Sequence, residues 1–82
     1  MGGIQLPGED LSYCCLRYAI FDNANLEGTV FDNSNLFWSD FRGANLRNAS
    51  LKKCDIASAD FRGAILDGTD FTGSRKETAR FK

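Results

Sequence analysis

A bulky apolar residue stands at every fifth position of this chain, without interruption, through most of its length. The members of this series are Leu6, Leu11, Leu16, Phe21, Leu26, Phe31, Leu36, Phe41, Leu46, Leu51, Ile56, Phe61, Leu66 and Phe71. A period of five suits neither regular element, because an α-helix would scatter these residues around its circumference and a continuous strand would turn successive members to opposite faces. The backbone must therefore bend once in each five-residue unit, so that each large apolar residue, here called the central residue, points to one interior.

Two further positions of the unit support a bend in every repeat. The residue two places before the central one is small in twelve consecutive units, from Cys14 to Thr69, and a small side chain allows the chain to close at a corner. The residue two places after the central one is Gly or Asn in nine of the fourteen units. Both residues tolerate the positive φ that a tight turn requires. The repeat therefore predicts a coil with one corner per unit.

This unit resembles that of the pentapeptide-repeat proteins, which reads Ala-(Asp/Asn)-(Leu/Phe)-x-x. The units that match it letter for letter are Ala24-Asn25-Leu26, Ala44-Asn45-Leu46 and Ala59-Asp60-Phe61. The resemblance covers residues 4–73 and implies an all-β fold, a right-handed quadrilateral β-helix, in which four units make one coil of twenty residues. Fourteen units would then form about three and a half coils of a pentapeptide-repeat solenoid.

The residues themselves leave the number of sides open. Offsets of 15 and 20 residues both bring opposite charges together, so charge pairing does not distinguish a three-sided coil from a four-sided one. Two pairs that an offset of 20 would create, Tyr18 with Trp38 and Arg17 with Phe37, favour four sides. With four sides, central residues twenty apart in the sequence would be stacked in the interior.

The last nine residues, 74–82, depart from the pattern because Lys76 occupies a central position. The run Ser74-Arg75-Lys76-Glu77 has the spacing of a capping box, in which the serine and the glutamate satisfy free amides at the start of a helix. We therefore expect a C-terminal cap or short helix over 74–82 that covers the last coil. The alternative is a resumed repeat, because Ala79-Arg80-Phe81 again matches the unit.

Composition excludes several kinds of chemistry. The 82 residues allow one domain, residues 1–82, and no histidine is present to act as a base or a ligand. Cys14 and Cys15 are adjacent and Cys54 is distant, which matches no zinc spacing, and an odd number of cysteines does not suit a disulfide framework. No apolar run is long enough to span a membrane. We expect a cytoplasmic protein with reduced thiols, no enzymatic activity, no metal, no cofactor and no membrane contact.

One outward side of a four-sided coil would carry a cluster of aromatic residues. Tyr18, Phe37 and Trp38 belong to this side, Arg17 borders them, and Tyr13 stands at the preceding corner. A contiguous exposed aromatic surface is typical of interaction sites. The alternative is that these rings only stabilise the stack of coils by packing across neighbouring strands. The sequence thus predicts a candidate interaction patch of five residues.

Charge and chain ends suggest the class of partner. Some proteins of the pentapeptide-repeat family, which this chain resembles, inhibit DNA gyrase by imitating DNA with an acidic rod. Such a rod needs a continuous anionic surface, whereas here acidic residues are interspersed with basic ones along the predicted sides. We therefore expect a non-enzymatic protein-interaction scaffold that binds an unidentified protein and does not bind nucleic acid directly. The alternative is a DNA-mimicking modulator of a topoisomerase such as DNA gyrase. We also expect a homodimer, in which Phe81 of two chains would meet. The alternative is a two-fold interface in which the aromatic surface of each chain meets its copy.

Overall fold

A computed structural model describes residues 3–82 and shows a coil that repeats every twenty residues. Twelve parallel bridges all join residues twenty apart, beginning with Gln5 and Asn25 and ending with Asp60 and Arg80. Because a unit has five residues, this offset gives four units per coil and confirms the four-sided interpretation. Each strand is a single bridging residue, at every fifth position from 5 to 80. Within residues 3–82 there is no helix long and apolar enough to cross a membrane.

Every corner of the coil is a tight turn with a left-handed residue. In most units the N–H of the small residue donates to the carbonyl of the preceding central residue, as Ala24 does to Phe21 at 3.0 Å. The residue before the donor has a positive φ, at all sixteen such positions from Gly3 to Thr78. A positive φ at the third residue alone is the signature of a type II turn, which favours Gly and Asn. Six other residues adopt it as well: Tyr13, Tyr18, Trp38, Lys53, Ser58 and Thr78.

Two of the turn glycines are required by the coil below them. A Cβ on Gly43 would collide with the side-chain oxygen of Asn23, and a Cβ on Gly68 would collide with that of Asn48. Both glycines also have a positive φ, of 69° and 72°. At these two corners the asparagine of the coil below leaves no space for a side chain, whereas Lys53 is accommodated above Asn33.

The acidic or amide residue before the central one closes a second small loop. In eight units its Oδ1 accepts a hydrogen bond from the N–H two residues later, as Asn45 does from Arg47 at 3.1 Å. Ser50 occupies this position in its unit and makes no such bond. Instead Asp32, one coil below, accepts from the N–H of Lys52 at 3.1 Å. The Asp/Asn preference of the unit thus follows from a backbone donor that needs an acceptor.

The interior contains a column of phenylalanines on one side of the coil. Phe21, Phe41, Phe61 and Phe81 are stacked in order, with ring centroids 5.1, 4.9 and 5.2 Å apart and interplanar angles of at most 19°. From the opposite side, Phe31 meets the rings of Phe21 and Phe41 edge-on. The coil is so narrow that facing sides fill one shared core. The predicted stack of Phe41 on Phe61 is confirmed.

Serine hydroxyls repair two turns that lack their own hydrogen bond. The N–H of Cys14 donates to Oγ of Ser34 at 3.1 Å, and that hydroxyl donates to the carbonyl of Leu11 at 2.7 Å. Ser34 belongs to the coil above, so its side chain is inserted into the turn below. Two coils higher, the N–H of Cys54 donates in the same way to Oγ of Ser74 at 3.0 Å, and that hydroxyl donates to the carbonyl of Leu51. These hydroxyls therefore satisfy two polar backbone groups at once.

The C-terminal residues 74–82 resume the repeat, and the helix expected there is not formed. Arg75 and Arg80 are bridging residues paired with the coil below, and Thr78 has a φ of 62° at the turn position. The physical reason is the edge that the preceding coil offers, since its backbone donors bond these residues: the N–H of Phe61 donates to the carbonyl of Arg80 at 2.7 Å. A helix would leave those donors unpaired.

Lys76 and Phe81 show how the resumed units fit the solenoid. Lys76 occupies a central position but is exposed, because it lies in the last coil. Phe81 becomes the fourth ring of the phenylalanine column instead of a residue on a capping helix. The repeat therefore extends beyond residue 73, the limit that the sequence suggested.

Phe41→Ala is expected to lower the free energy of unfolding by about 3–5 kcal/mol, because the ring is fully buried between two stacked neighbours. Phe81→Ala is the matched control in the same column, and its loss should be smaller because that ring is 37% exposed. Urea titration followed by circular dichroism measures both. Equal losses at the two positions would contradict this account of the core.

Ser34→Ala is expected to lower the free energy of unfolding by about 1–3 kcal/mol, since it leaves the N–H of Cys14 and the carbonyl of Leu11 without partners. Ser39→Ala is the matched control: its equally buried hydroxyl donates to the carbonyl of Leu36, which also accepts the turn N–H. Removing that hydroxyl orphans nothing. Thermal melts of both variants test the difference, and a control that is the more damaging of the two would refute the bridge.

Candidate functional site

Four residues form the surface that we call the aromatic patch: Arg17, Tyr18, Phe37 and Trp38. Phe37 is half-buried and lies between two exposed rings. Its centroid is 6.1 Å from that of Tyr18 and 6.3 Å from that of Trp38, with interplanar angles of 84° and 81°. Tyr18 is 59% exposed and Trp38 is 56% exposed. The patch therefore has a low centre and two raised aromatic flanks.

The guanidinium of Arg17 is held against two of these rings. Its Cζ is 5.6 Å from the centroid of Tyr18 and 5.9 Å from that of Phe37, which is cation–π distance. Within residues 3–82 no carboxylate lies within ion-pair distance of it, and its N–H groups have no hydrogen-bond acceptor. The patch thus includes a positive charge that lies beside two rings and has hydrogen-bond donors without a partner in residues 3–82.

The coil positions the two flanking rings at its corners. Tyr18 and Trp38 are turn residues with φ of 62° and 60°, and such a position points the side chain away from the core. A left-handed conformation costs an L-residue about 1–2 kcal/mol, whereas each edge-to-face aromatic pair returns about 0.5–1.5 kcal/mol. The contacts within the patch therefore roughly offset the strain and give no clear net stabilisation. Packing alone does not explain why bulky aromatic residues occupy these turns.

The structure alters two details of the predicted patch. Tyr18 and Trp38 are not paired with each other; each ring contacts Phe37 instead. Tyr13 is exposed at its own corner, with a φ of 56°, and makes no ring contact with the other aromatic residues in 3–82. The aromatic patch therefore comprises four of the five predicted residues, and Tyr13 is a separate exposed ring.

Ile20 is an exposed apolar residue that the sequence reasoning overlooked. It is 49% exposed and follows Tyr18 by two positions. A signal was available, because Ile20 stands where the unit prefers Asp or Asn and where Asp40 and Asp60 stand in the next two coils. An apolar residue at this outward position extends the apolar surface beyond the corner.

Carboxylates and arginines are paired on the side that covers the phenylalanine column. Arg42 forms a two-pronged contact with Asp40, at 2.9 and 2.8 Å, and Arg62 contacts Asp60 in the same way. The hydrogen bond from each guanidinium is the main cause that lowers the pKa of its aspartate. These groups neutralise each other within a single coil.

The other outward sides also carry both signs of charge. Glu27 and Arg47 are successive residues on one of them, and Asp32 and Lys52 on another. Residues 3–82 contain no group of three or more side chains placed to hold a metal ion, and they enclose no pocket. A functional site within these residues would therefore lie on the outer surface of the coil.

The cysteines have separate surroundings. Cys54 is buried, its thiol donates to the carbonyl of Phe31 at 2.9 Å, and burial raises its pKa. Cys14 is half-buried below it, and Cys15 is exposed. A thiol whose pKa is raised is a poor nucleophile, so Cys54 serves as a small core residue.

Trp38→Gly is expected to be about 1 kcal/mol more stable than Trp38→Ala, because glycine adopts the left-handed turn without strain while alanine keeps the strain. Both variants remove the same ring, so their difference isolates the backbone term. Urea denaturation followed by circular dichroism measures it. If alanine proved the more stable residue at this corner, the turn would not be strained.

Solved structures with the same architecture include three informative relatives. HetL, a pentapeptide repeat protein involved in heterocyst differentiation regulation from the cyanobacterium Nostoc sp. strain PCC 7120, has a TM-score of 0.90 and 36% identity, over 96% of this chain and 37% of HetL. A pentapeptide repeat protein from the Arabidopsis thaliana thylakoid lumen has a TM-score of 0.96 and 29% identity, over 98% of this chain and 55% of that protein.

QnrB1, a plasmid-mediated fluoroquinolone resistance protein, shows likeness of fold alone. Its TM-score is 0.70 at 20% identity, over 94% of this chain and 48% of QnrB1. The chain thus spans between 37% and 55% of the length of these three proteins. Among curated proteins, none matches its sequence.

Family membership rests on the repeat itself. A family model described as pentapeptide repeats matches eight copies of the unit, over residues 10–48 and 34–73. The solved relatives are right-handed quadrilateral β-helices, and this chain shares that fold. Since both the repeat and the coil agree over most of its length, this chain belongs to the pentapeptide repeat family.

Proposed function

We propose that this chain is a non-enzymatic interaction module whose β-helix presents the aromatic patch to a protein partner. The observation that carries the proposal is the placement of Tyr18 and Trp38, two exposed aromatic residues held in left-handed turns. Every corner of the coil has this conformation, so what distinguishes Tyr18 and Trp38 is that their exposed rings flank Phe37. Tyrosine, tryptophan and arginine are also the residues that contribute most to protein interfaces.

The scaffold supports this role because it fixes the patch before a partner arrives. The backbone around the patch is bonded to the coil above, since the N–H of Trp38 donates to the carbonyl of Ala57 at 3.1 Å and that of Leu36 to Asp55 at 2.8 Å. Aromatic side chains have few rotatable bonds, and their mutual contacts restrict those further. A preorganised surface loses little entropy when it binds.

Affinity capture with matched variants tests the proposal. The wild-type chain, Trp38→Gly and Arg47→Gln are immobilised and exposed to lysate of the source cells; Arg47 is exposed, on the side opposite the patch. We expect a protein that is retained by wild type and by Arg47→Gln but is lost with Trp38→Gly. Identical retention by all three chains would refute a role for the patch.

The fluorescence of Trp38 provides a direct second reading. It is the only tryptophan of the chain, so its emission reports on the patch alone. A captured partner that covers the patch should shift this emission to shorter wavelength, because the indole leaves water. Binding of the purified partner without any change at Trp38 would place the interface elsewhere.

Two further proposals have less support. A DNA-mimicking modulator of a topoisomerase such as DNA gyrase would need a continuous anionic side, and the sides carry paired charges such as Asp40 with Arg42; a gyrase supercoiling assay tests it. A homodimer in which Phe81 of two chains would meet rests only on the partial exposure of that ring. Sedimentation of the wild type and Phe81→Asp tests the second.

A further inference from the structure

We propose that the aromatic patch binds an extended acidic peptide segment, with a carboxylate of the segment on the guanidinium of Arg17 and an apolar side chain of the segment over Phe37. This inference rests on the proposed function and names the chemistry of the partner. It follows from two observations: the guanidinium lies beside the rings of Tyr18 and Phe37 with no carboxylate partner in residues 3–82, and the half-buried ring of Phe37 is flanked by two exposed rings at nearly right angles to it.

The charge of the patch selects an acidic partner. Arg17 is the only charged residue of the patch, and the nearest ion pair on the same side, Asp55 with Arg75 at 3.9 Å, belongs to higher coils. Its contacts with Tyr18 and Phe37 hold the guanidinium beside the two rings, and its N–H groups have no acceptor in residues 3–82. A carboxylate fits such an edge with two parallel hydrogen bonds, which is stronger than a neutral contact.

The same arrangement disfavours a cationic partner. Exposed aromatic faces attract cations, but the guanidinium of Arg17 already lies over Tyr18 and Phe37. A second cation would meet like charge at the same rings. Trp38 adds a second exposed ring beside Phe37, so an apolar side chain two positions from the carboxylate would pack against both.

An extended segment suits the shape of this surface. Residues 3–82 enclose no pocket, so the site has no deep cavity for a compact ligand. Its open flanks, Tyr18 and Trp38, belong to neighbouring coils that are joined by parallel pairing. Alternate side chains of an extended peptide point to the same face and are about 6.6 Å apart. The Cζ of Arg17 is 5.9 Å from the centroid of Phe37, so one segment reaches both residues with side chains two positions apart.

Selection from a random peptide library displayed on phage tests the inference, with the folded full chain as the immobilised target. Selected peptides are synthesised, and their affinities are measured for wild type, Arg17→Gln, Arg17→Lys, Trp38→Gly and the control Arg47→Gln, after melting curves confirm that each variant folds. We expect selected sequences that place Asp or Glu two positions from an apolar residue. Binding should weaken about tenfold or more in Arg17→Gln, less in Arg17→Lys, and not at all in Arg47→Gln.

The remaining outcomes separate this inference from the function on which it rests. Neutral or basic selected peptides that require Trp38, or acidic ones that ignore Arg17→Gln, would overturn the acidic partner and leave the interaction module standing. Absence of any selected peptide that depends on Trp38 would overturn the inference, and the capture experiment with Trp38→Gly would then decide the proposed function separately. Self-association of the chain that is abolished by Trp38→Gly would also overturn the inference, because a second copy would then be the occupant.

Discussion

The left-handed turn at every fifth residue is the constraint on which the whole coil depends. Each turn redirects the chain by one side, and four of them bring the backbone back to a point where it can pair with itself twenty residues later. Pairing then fixes which side chains are stacked. The interior columns, the outward charges and the aromatic patch all follow from that one conformational requirement.

The requirement for a positive φ also determines which residues fit the turn positions without strain. Glycine and asparagine occupy ten of the sixteen turn positions, where they relieve strain locally. The aromatic residues at Tyr18 and Trp38 do not, so their stability derives from the coils around them. A solenoid of small units can hold such residues because each corner is secured by hydrogen bonds to the coil above or below. The stability of the neighbouring coils thereby compensates for the strain at the two aromatic corners.

Much of the fold was predictable because it depends on spacing. The period of five gave the bends, and the Gly and Asn positions indicated the positive φ of the turns. The number of sides depends on which coils pair, which is a long-range property that the charges did not reveal. The C-terminal residues were misjudged because the capping box around Ser74 is a local signal, whereas the open edge of the coil below offers backbone partners that outweigh it.

The side-chain contacts within the patch could not be predicted from the sequence. The residues of the patch could be assigned to one side, but whether Tyr18 meets Phe37 or Trp38 depends on rotamers and on the direction imposed by the turn. The bridging role of Ser34 was equally hidden, since serine at that position reads as one small residue among others.

The glycines that follow an asparagine by one full coil have a consequence for how this molecule can change in length. Removing a single five-residue unit between Asn23 and Gly43 would shift the upper coils by one side and bring Asn48 above Asn23, where its Cβ would meet the side-chain oxygen of Asn23. Removing four units restores every column to its own side. Insertions and deletions of whole coils therefore preserve the stacked columns, whereas a change of one unit places each side above a different one.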